Sequence, residues 1–370
     1  MISRKDAKTQ SPKMLASVPL ASMVSKNLKL IAYGLWLMAL SAFASDIHKN
    51  EEVLFFPGIG HRVGDGWELE IRGWIYEPKG GALGALLFRE MLDLKNKGED
   101  KAGDAIFEKR AKPFLVDNEQ GRVISIQVGE KVYAMEKSGE NGLFTGHVHV
   151  SGGSGPRITF RAVMPHDDPR IFKGEAFLLE DEGLSVISDF DDTIKISQAM
   201  DHKLLMKNTF FRPFEPVPGM SEVYRRWSEK KGAAFHYVSA SPWQLYAPMK
   251  DFMNDEDFPK GTFHLKAVRW KDRSLLKLFE SPGDFKRKEI PPILERFPKR
   301  GFVLVGDSGQ NDPEVYAEMA RKFPDQVKLI LIRDVTNESP DSDRYKKTFK
   351  GLPKELWKIF HDPSEIRDAF

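Results

Sequence analysis

Three aspartates lie close together in the segment SDFDDTIKIS, residues 188–197: Asp189, Asp191 and Asp192. The apolar run LSVIS precedes them and is typical of a buried strand. Carboxylates repel one another, so the end of a buried strand is an unfavourable place to collect them unless they share a chemical task. Residues i and i+2 of a strand point to the same side, so Asp189 and Asp191 should face one site. Asp192 is out of phase with this pair and is expected to support the turn.

Further polar groups follow the other predicted strands. Ser239 comes after the apolar run HYV, and the segment GDSGQND supplies Asp307 and Asp312. A predicted helix begins near Lys286, and Lys288 in the same segment FKRKEI is the alternative lysine. The carboxyl ends of parallel strands meet at one edge of a sheet, where such folds bind their ligands. These side chains are therefore expected to converge on one crevice.

Four carboxylates would share this crevice, those of Asp189, Asp191, Asp307 and Asp312. At close range some of them would have to take up protons unless a cation neutralised them. A hard divalent cation with oxygen ligands does this, and Mg²⁺ suits an open site with few carboxylates and several waters. Asp312 has a second interpretation, because it precedes Pro313 and would also serve as a helix cap. The sequence predicts a Mg²⁺ site at this edge.

The elements that must position these residues form a predicted α/β domain over residues 181–370. Short apolar runs such as AFHYVSAS, FVLVGDS and KLILIRDV indicate strands that are buried on both faces. Segments of helical length alternate with them, at Met220–Lys231, Pro242–Asn254, Phe285–Phe297 and Pro313–Phe323. This alternation predicts a doubly wound parallel sheet. Ser241–Pro242 and Asp312–Pro313 are the expected helix starts, each a capping residue followed by proline.

Residues 45–180 are expected to form a smaller β-rich, sandwich-like domain. Apolar and charged side chains alternate in WELEIRGWIY with the period of a strand, and RVISIQV, GHVHV and RITFRAVM continue the pattern. A segment of helical character from about Ala82 to Arg110 interrupts the strands and is interpreted as an inserted helical hairpin. His147 and His149 alternate on one strand, which without a third ligand is more typical of a solvated strand face than of a metal site.

The uncharged apolar run Leu30–Ala44 precedes the β-rich region and follows basic residues. It is shorter than the roughly 20 residues that a membrane span needs. Ala42 and Ala44 at its end have the spacing of a signal-peptide cleavage site. Residues 1–44 are therefore predicted to be a signal peptide, and the protein to be exported, either periplasmic or extracellular. An uncleaved signal anchor is the alternative.

The composition narrows the possible chemistry. A net charge of +2 over 370 residues gives no general attraction to nucleic acid, so no nucleic-acid partner is predicted. The chain has no cysteine, which excludes disulfides, thiolate metal sites and a cysteine nucleophile. The length is ample for two domains.

The chemical motifs together resemble the four motifs of the haloacid dehalogenase superfamily of phosphotransferases. The residues that carry this resemblance are, in order, Asp189, Asp191, Thr193, Ser239, Lys286 and the segment GDSGQND. More narrowly, GLSVISDFDDTIKIS, YVSASPWQLY and GFVLVGDSGQNDPEVY look like the phosphatidate phosphatases related to the fungal actin-patch enzyme. The close resemblance runs from about Gly174 to Val335, and the β-rich part matches only loosely.

The resemblance implies a role for each residue. Asp189 would attack phosphorus and form an aspartyl phosphate, and Asp191 would protonate the leaving alcohol and later accept a proton from the attacking water. The carboxylates of Asp189 and Asp307 and the backbone carbonyl of Asp191 would hold Mg²⁺. Ser239 and Lys286 would hold the oxygens of the transferring phosphoryl group. The threonine of the first motif would brace the loop.

The predicted function is that of a Mg²⁺-dependent phosphomonoesterase, with phosphatidate as the implied substrate. A phosphatase for soluble or protein-bound phosphate is one alternative, and a non-catalytic surface-binding protein is another. The interval from Thr193 to Ser239 is too short for a large cap domain, so the site is expected to be open. Within it, the segment Leu204–Phe214 is rich in apolar residues with interleaved basic ones. This segment is expected either to contact a membrane surface or to pack beneath the core.

Overall fold

The computed structural model describes residues 14–17, 44–79, 81–92, 101–153, 155–268 and 282–370. It divides into two compact units, Met1–Glu77 with Asp117–Leu179 and Pro78–Val116 with Glu180–Phe370. The predicted signal peptide lies outside the described residues except for short pieces of it. Across the described ranges, no helix has both the length and the apolar character that crossing a membrane requires.

The first unit is built on one nine-stranded sheet, counting the strands of the described residues. Its strands are β1 (Met14–Ser17), β2 (Glu52–Val63), β3 (Gly66–Glu77), β4 (Asp117–Asn118), β5 (Ser125–Val128), β6 (Lys131–Ala134), β7 (Leu143–Ser151), β8 (Arg157–Ala162) and β9 (Lys173–Leu179). They follow the order β1-β6-β5-β8-β9-β2-β3-β4, and β7 also pairs with β3. The expected β-rich region is therefore confirmed.

One face of this sheet supplies the core of the first unit. Leu69 and Ile71 on β3 are fully buried and pack in a cluster that includes Phe55 of β2. The alternation predicted from WELEIRGWIY thus separates a buried face from a polar one. On β7, His149 is exposed and lies 3.8 Å from Glu68 through its Nδ1, so a solvated strand face accounts for it.

The second unit is built on a six-stranded sheet whose neighbouring strands are all parallel. Its strands are β10 (Leu184–Ser188), β11 (Ala234–Pro242), β12 (Thr262–Lys266), β13 (Gly301–Asp307), β14 (Val327–Arg333) and β15 (Trp357–Phe360). The order β12-β11-β10-β13-β14-β15 means that the chain winds first to one side of β10 and then to the other. The predicted doubly wound α/β sheet is confirmed, and its ligand crevice should open where β10 and β13 end.

Eight α-helices of the second unit lie in the described residues. They are α1 (Ala82–Met91), α2 (Lys101–Ala111), α3 (His202–Phe210), α4 (Met220–Lys231), α5 (Tyr246–Asp255), α6 (Pro282–Arg296), α7 (Asp312–Lys322) and α8 (Asp343–Thr348). The predicted helix Met220–Lys231 has the predicted bounds. The segment Pro78–Val116, which carries the predicted helical hairpin, groups with this unit.

The expected helix start at Ser241–Pro242 is wrong. β11 continues through Pro242, which pairs with Lys266 of β12 after an irregularity in the register. A single 3₁₀ turn, Trp243–Leu245, then leads into α5 at Tyr246. The physical reason is that the Ser241 hydroxyl is bonded to another side chain, described below, and caps no helix.

The segment Leu204–Phe214 packs against the hairpin formed by α1 and α2. Phe210 is fully buried, and its ring centroid lies 5.6 Å from that of Phe88. Phe211 stacks on Phe107 at 4.9 Å. Of the six apolar residues in this segment, four are buried, namely Leu205, Met206, Phe210 and Phe211. The expected membrane contact of these side chains is therefore wrong, and the alternative of packing beneath the core is confirmed.

Truncating this aromatic cluster should destabilise the second unit. Phe210→Ala leaves a cavity in a fully buried site, so we expect the free energy of unfolding to fall by about 3–5 kcal/mol. Leu87→Ala on α1 is the matched control, because Leu87 is 52% exposed and its loss creates no cavity. Urea unfolding followed by fluorescence measures both. A loss below about 1 kcal/mol for Phe210→Ala would contradict the burial described here.

Candidate active site

The end of β10 presents two aspartates to the same side. The backbone N–H of Asp189 donates to the carbonyl of Val305 at 2.8 Å, which extends the pairing of β10 with β13 by one residue. Phe190 between the two aspartates is fully buried, with its ring 5.8 Å from that of Phe252. Asp189 and Asp191 both line a pocket of about 240 Å³. The alternation predicted from the sequence thus brings these two carboxylates together.

Asp189 is the more deeply buried of the pair. Its Oδ2 accepts a hydrogen bond from the Thr193 hydroxyl at 3.0 Å, and its Oδ1 lies 2.7 Å from Nζ of Lys286. Burial raises the pKa of Asp189 to about 7, and the contact with Lys286 only partly offsets this. Thr193 therefore braces the loop through the carboxylate that it faces.

Lys286 is the lysine that reaches the site. Its side chain is fully buried on α6 and bonds both Asp189 and Asp312, whereas Lys288 is exposed. Burial would lower the pKa of Lys286, but the carboxylates of Asp189, Asp312 and Asp307 hold it above its usual range. Lys286 thus remains an ammonium group in the interior.

Asp307 and Asp312 come from the end of β13 and the start of α7. The Asp312 oxygens are both bonded, Oδ1 to Lys286 and Oδ2 to the backbone N–H of Asp307 at 3.2 Å. Asn311 occupies the cap position of α7, so Asp312 is not a helix cap. A Cβ atom at Gly306 would lie 2.2 Å from Asp312 Oδ2, so this approach requires glycine.

Asp307 holds one oxygen ready for a ligand. Its Oδ1 accepts a hydrogen bond from the N–H of Gly309 at 2.7 Å, but its buried Oδ2 has no hydrogen-bond partner. Burial, Asp312 and Asp189 raise the pKa of Asp307 well above its usual range. An unpaired oxygen at this depth is costly unless a cation or a proton satisfies it.

Three of these carboxylates lie close enough to one another to bind a single metal ion. Oxygen atoms of Asp189, Asp307 and Asp312 all lie within 4.8 Å of one another. Every donor is a carboxylate oxygen, which is the ligand type of hard divalent cations, and Asp307 Oδ2 lacks any other partner. These residues therefore fit such a cation.

Asp191 contacts four side chains around the pocket. Its Oδ1 lies 2.8 Å from Lys195 Nζ and accepts from the Ser197 hydroxyl at 2.6 Å. Its Oδ2 accepts from the hydroxyls of Ser239 at 3.3 Å and Ser241 at 3.1 Å. Burial would raise the pKa of Asp191, but Lys195 and the hydroxyls of Ser197 and Ser241 hold it below its usual range.

Three of these partners, Lys195, Ser197 and Ser241, were not among the predicted site residues. Ser241 follows Ser239 by two positions on β11, so the strand period indicated that both hydroxyls share one side. Because a helix was expected to start at Ser241, its hydroxyl was not predicted to lie on the same side as that of Ser239. Lys195 lies four residues after Asp191, but in a loop this spacing carries no geometric expectation.

Asp192 supports the turn as expected. It adopts a left-handed conformation with φ of 57°, which is uncommon for a residue other than glycine. Its carboxylate accepts hydrogen bonds from three successive backbone N–H groups, those of Ser197, Gln198 and Ala199. These bonds fold the loop back beneath the pocket and fix the two aspartates that precede it.

The fold and these side chains define a class of protein. An Asp-x-Asp pair after the central parallel strand, a serine after the next strand, a buried lysine and an acidic end of β13 are the features in which this domain resembles the haloacid dehalogenase superfamily. Residues 184–334 match the family described as phosphatidate phosphatase APP1, catalytic domain. This part of the chain is an APP1-family catalytic domain, and the resemblance predicted from the motifs is confirmed.

Two fungal proteins are similar to this chain. Phosphatidate phosphatase APP1 of Saccharomyces cerevisiae is 32% identical over 179 residues, which are 48% of this chain and 30% of that protein. An uncharacterized protein of Schizosaccharomyces pombe is 29% identical over 174 residues, which are 46% of this chain and 28% of that protein. The chain therefore spans less than a third of the length of either relative.

Two solved structures align with most of this chain but at a very low TM-score. A ferredoxin-NADP⁺ reductase from Plasmodium falciparum aligns with 86% of this chain and 100% of its own, at 8% identity and a TM-score of 0.19. A ferredoxin reductase in carbazole 1,9a-dioxygenase aligns with 84% of this chain and 69% of its own, at a TM-score of 0.18. Likeness at this level carries no argument about fold or function.

Neutralising Asp307 should stabilise the metal-free protein. Its folded pKa lies above the roughly 3.9 of an unfolded aspartate, so ionising it costs stability as the pH rises above about 4. We expect Asp307→Asn to raise the free energy of unfolding by roughly 1–3 kcal/mol at pH 7 in chelator. The gain should shrink as the pH falls towards 4.

Urea unfolding in EDTA at several pH values measures this difference. Asp284→Asn, which removes a charge from the exposed surface of α6, controls for the change in net charge. A variant at position 307 that is less stable than the wild type at pH 7 would show that Oδ2 of Asp307 is not buried without a partner.

Proposed function

We propose that this protein is a Mg²⁺-dependent phosphatidate phosphatase that works through an aspartyl phosphate. The observation that carries the proposal is the Asp189–Asp191 pair, which faces one pocket with Lys286 2.7 Å from the first carboxylate. The family of the catalytic domain supports the substrate, since the yeast relative is named a phosphatidate phosphatase.

The first half of the reaction breaks the ester bond. A carboxylate oxygen of Asp189 attacks phosphorus, and the bond from phosphorus to the glycerol oxygen breaks as the new bond forms. The proton on Asp191 passes to that glycerol oxygen, which releases diacylglycerol. The negative charge of the arriving phosphate favours the protonated form of Asp191, although Lys195 favours the ionised form in the empty pocket.

The second half restores the enzyme. Ionised Asp191 accepts a proton from a water molecule, whose oxygen attacks phosphorus. The bond between Asp189 and phosphorus breaks, which regenerates the carboxylate and yields inorganic phosphate. Lys286 stabilises the negative charge on the Asp189 carboxylate at both ends of this cycle, because it is buried against that side chain. Ser239, which lines the pocket, would hold a phosphoryl oxygen.

Magnesium is the proposed cation for the three-carboxylate group. The four carboxylates of the site outnumber the two lysines that contact them, so the pocket alone is a poor host for a phosphate dianion. Asp189 and Asp307 would hold the ion, with the backbone carbonyl of Asp191, and Asp312 would contribute through Lys286 or through a water molecule. When bound, Mg²⁺ supplies the positive charge that neutralises phosphoryl oxygens.

Replacing Asp189 and replacing Asp191 should each reduce turnover, but for different chemical reasons. Asp189→Asn removes the nucleophile, so we expect kcat for phosphatidate in mixed micelles with Mg²⁺ to fall by roughly 10³-fold or more. Asp191→Asn removes the proton donor, so we expect a loss of roughly 10²–10⁴-fold, smaller for p-nitrophenyl phosphate, whose leaving group needs no proton. Asp284→Asn on the exposed surface of α6 should behave as the wild type.

The same assay separates the alternatives. Substantial turnover by folded Asp189→Asn would refute the aspartyl phosphate. A wild-type protein that hydrolyses soluble or protein-bound phosphates but not phosphatidate would be a phosphatase of another substrate class. A protein that hydrolyses no phosphate ester would be a non-catalytic binding protein.

We also propose that the protein is exported, with Ser45 as its first mature residue. The apolar run Leu30–Ala44 supports this, because it ends in the small residues Ala42 and Ala44. The N–H of Ser45 donates to Val163 at 2.7 Å, and Ser45 itself is buried. Cleavage would remove β1 and leave β6 paired with β5 only, among the strands described.

The mass of the protein in the exported fraction tests this proposal. We expect a chain that begins at Ser45, because small residues at Ala42 and Ala44 are what the cleaving enzyme requires. Ala44→Arg should block cleavage and leave the longer chain with the membrane. An exported wild-type protein that still carries Lys26 would refute the proposed cleavage.

A further inference from the structure

A buried lysine beside Asp191 has no role in the proposed chemistry. Lys195 is 2% exposed, and its ammonium nitrogen lies 2.8 Å from Asp191 Oδ1. The ring of Phe214 covers this ammonium group at 4.6 Å. A lysine is seldom buried to this extent without a partner that compensates for the loss of water. Each aspartate of the pair thus has its own buried lysine, Lys286 for Asp189 and Lys195 for Asp191.

The loop itself fixes Lys195 relative to Asp191. The N–H of Lys195 donates to the carbonyl of Phe190 at 3.1 Å, and the N–H of Asp192 donates to the carbonyl of Lys195 at 2.7 Å. Lys195 also forms a backbone bridge with Pro216. The ammonium group is therefore anchored through the backbone on both sides of the aspartate that it contacts.

The partners of Asp191 divide between its two oxygens. Lys195 and Ser197 bind Oδ1, and Ser239 and Ser241 bind Oδ2. The two serines of β11 line the pocket, whereas neither Lys195 nor Ser197 is among its described lining residues. Oδ1 is thus held from the protein side, and Oδ2 faces the space where a phosphate ester would sit.

We infer that Lys195 is a positioning residue that fixes Asp191 through Oδ1, so that Oδ2 is the oxygen that transfers the proton. This inference rests on the proposed function, because it assigns the proton transfer to Asp191. Lys195 touches neither the pocket nor a reacting atom and acts only through the carboxylate. Without it, Asp191 would rotate about its side-chain bonds, and the proton would be less often aligned with the leaving oxygen.

The test compares leaving groups. Lys195→Met keeps the bulk of the side chain and removes the ammonium group. We expect kcat for phosphatidate to fall about 10²-fold, and kcat for p-nitrophenyl phosphate to fall less than about tenfold, because only the first leaving group needs the proton. Lys195→Arg should recover part of the loss, since it restores a cation. Lys203→Met, at an exposed lysine of α3, should leave both rates unchanged.

A double variant shows whether Lys195 acts through Asp191. In the Asp191→Asn background, Lys195→Met should not change the ratio of the two rates further, because the proton donor is already absent. A ratio unchanged by Lys195→Met alone, or one that falls again in the double variant, would overturn the inference. A wild-type protein without any turnover would instead refute the proposed function.

A crystal structure of Lys195→Met tests the positioning without turnover. We expect the Asp191 carboxylate to leave its position or to occupy several, while Asp189 and Lys286 keep theirs. An unmoved Asp191 would overturn the inference whether or not the protein is active. Thermal unfolding of the same variant shows that any loss of rate belongs to a folded protein.

Discussion

The site depends on the ion pairs that the buried ammonium group of Lys286 makes with two aspartates. The ammonium group lies between Asp189 and Asp312, in an interior where either carboxylate alone would be unstable in its charged form. Three elements must meet for this contact to exist, since Asp189 follows β10, Asp312 begins α7 and Lys286 comes from α6. The parallel sheet supplies that meeting point, because its order brings the ends of β10 and β13 side by side.

The sequence was a good guide wherever a single element decides the outcome. Apolar runs buried on both faces predicted the parallel sheet, and the strand period predicted that Asp189 and Asp191 share a side. Lys286 was preferred over Lys288 on the resemblance, in which the lysine comes four residues before an apolar helix position, here Ile290. The structure agrees with this preference, because Lys286 and Ile290 are both fully buried on α6.

The errors arose where the partner is remote in the chain. An apolar segment with interleaved basic residues has the same pattern whether it faces lipid or another helix. Phe210 and Phe211 pack against Phe88 and Phe107, which lie about 100 residues earlier in the chain. The residues around Phe210 and Phe211 give no sign of these distant partners. The helix start predicted at Ser241 was wrong for a related reason. A serine before proline is a good helix start in general, but here its hydroxyl donates to the carboxylate of Asp191, in the loop that follows β10.

The close approach at Gly306 has a consequence for how this sequence can change. Position 306 lies inside β13, where a β-branched residue would ordinarily strengthen the strand. The carboxylate of Asp312 fills the volume that any such side chain needs, with Oδ2 2.2 Å from the place of a Cβ. Selection for a more stable sheet would favour a β-branched residue at position 306, whereas the acidic site requires glycine there. β13 therefore keeps glycine, a poor strand former, at position 306, because the Asp312 carboxylate already occupies the space that a side chain would need.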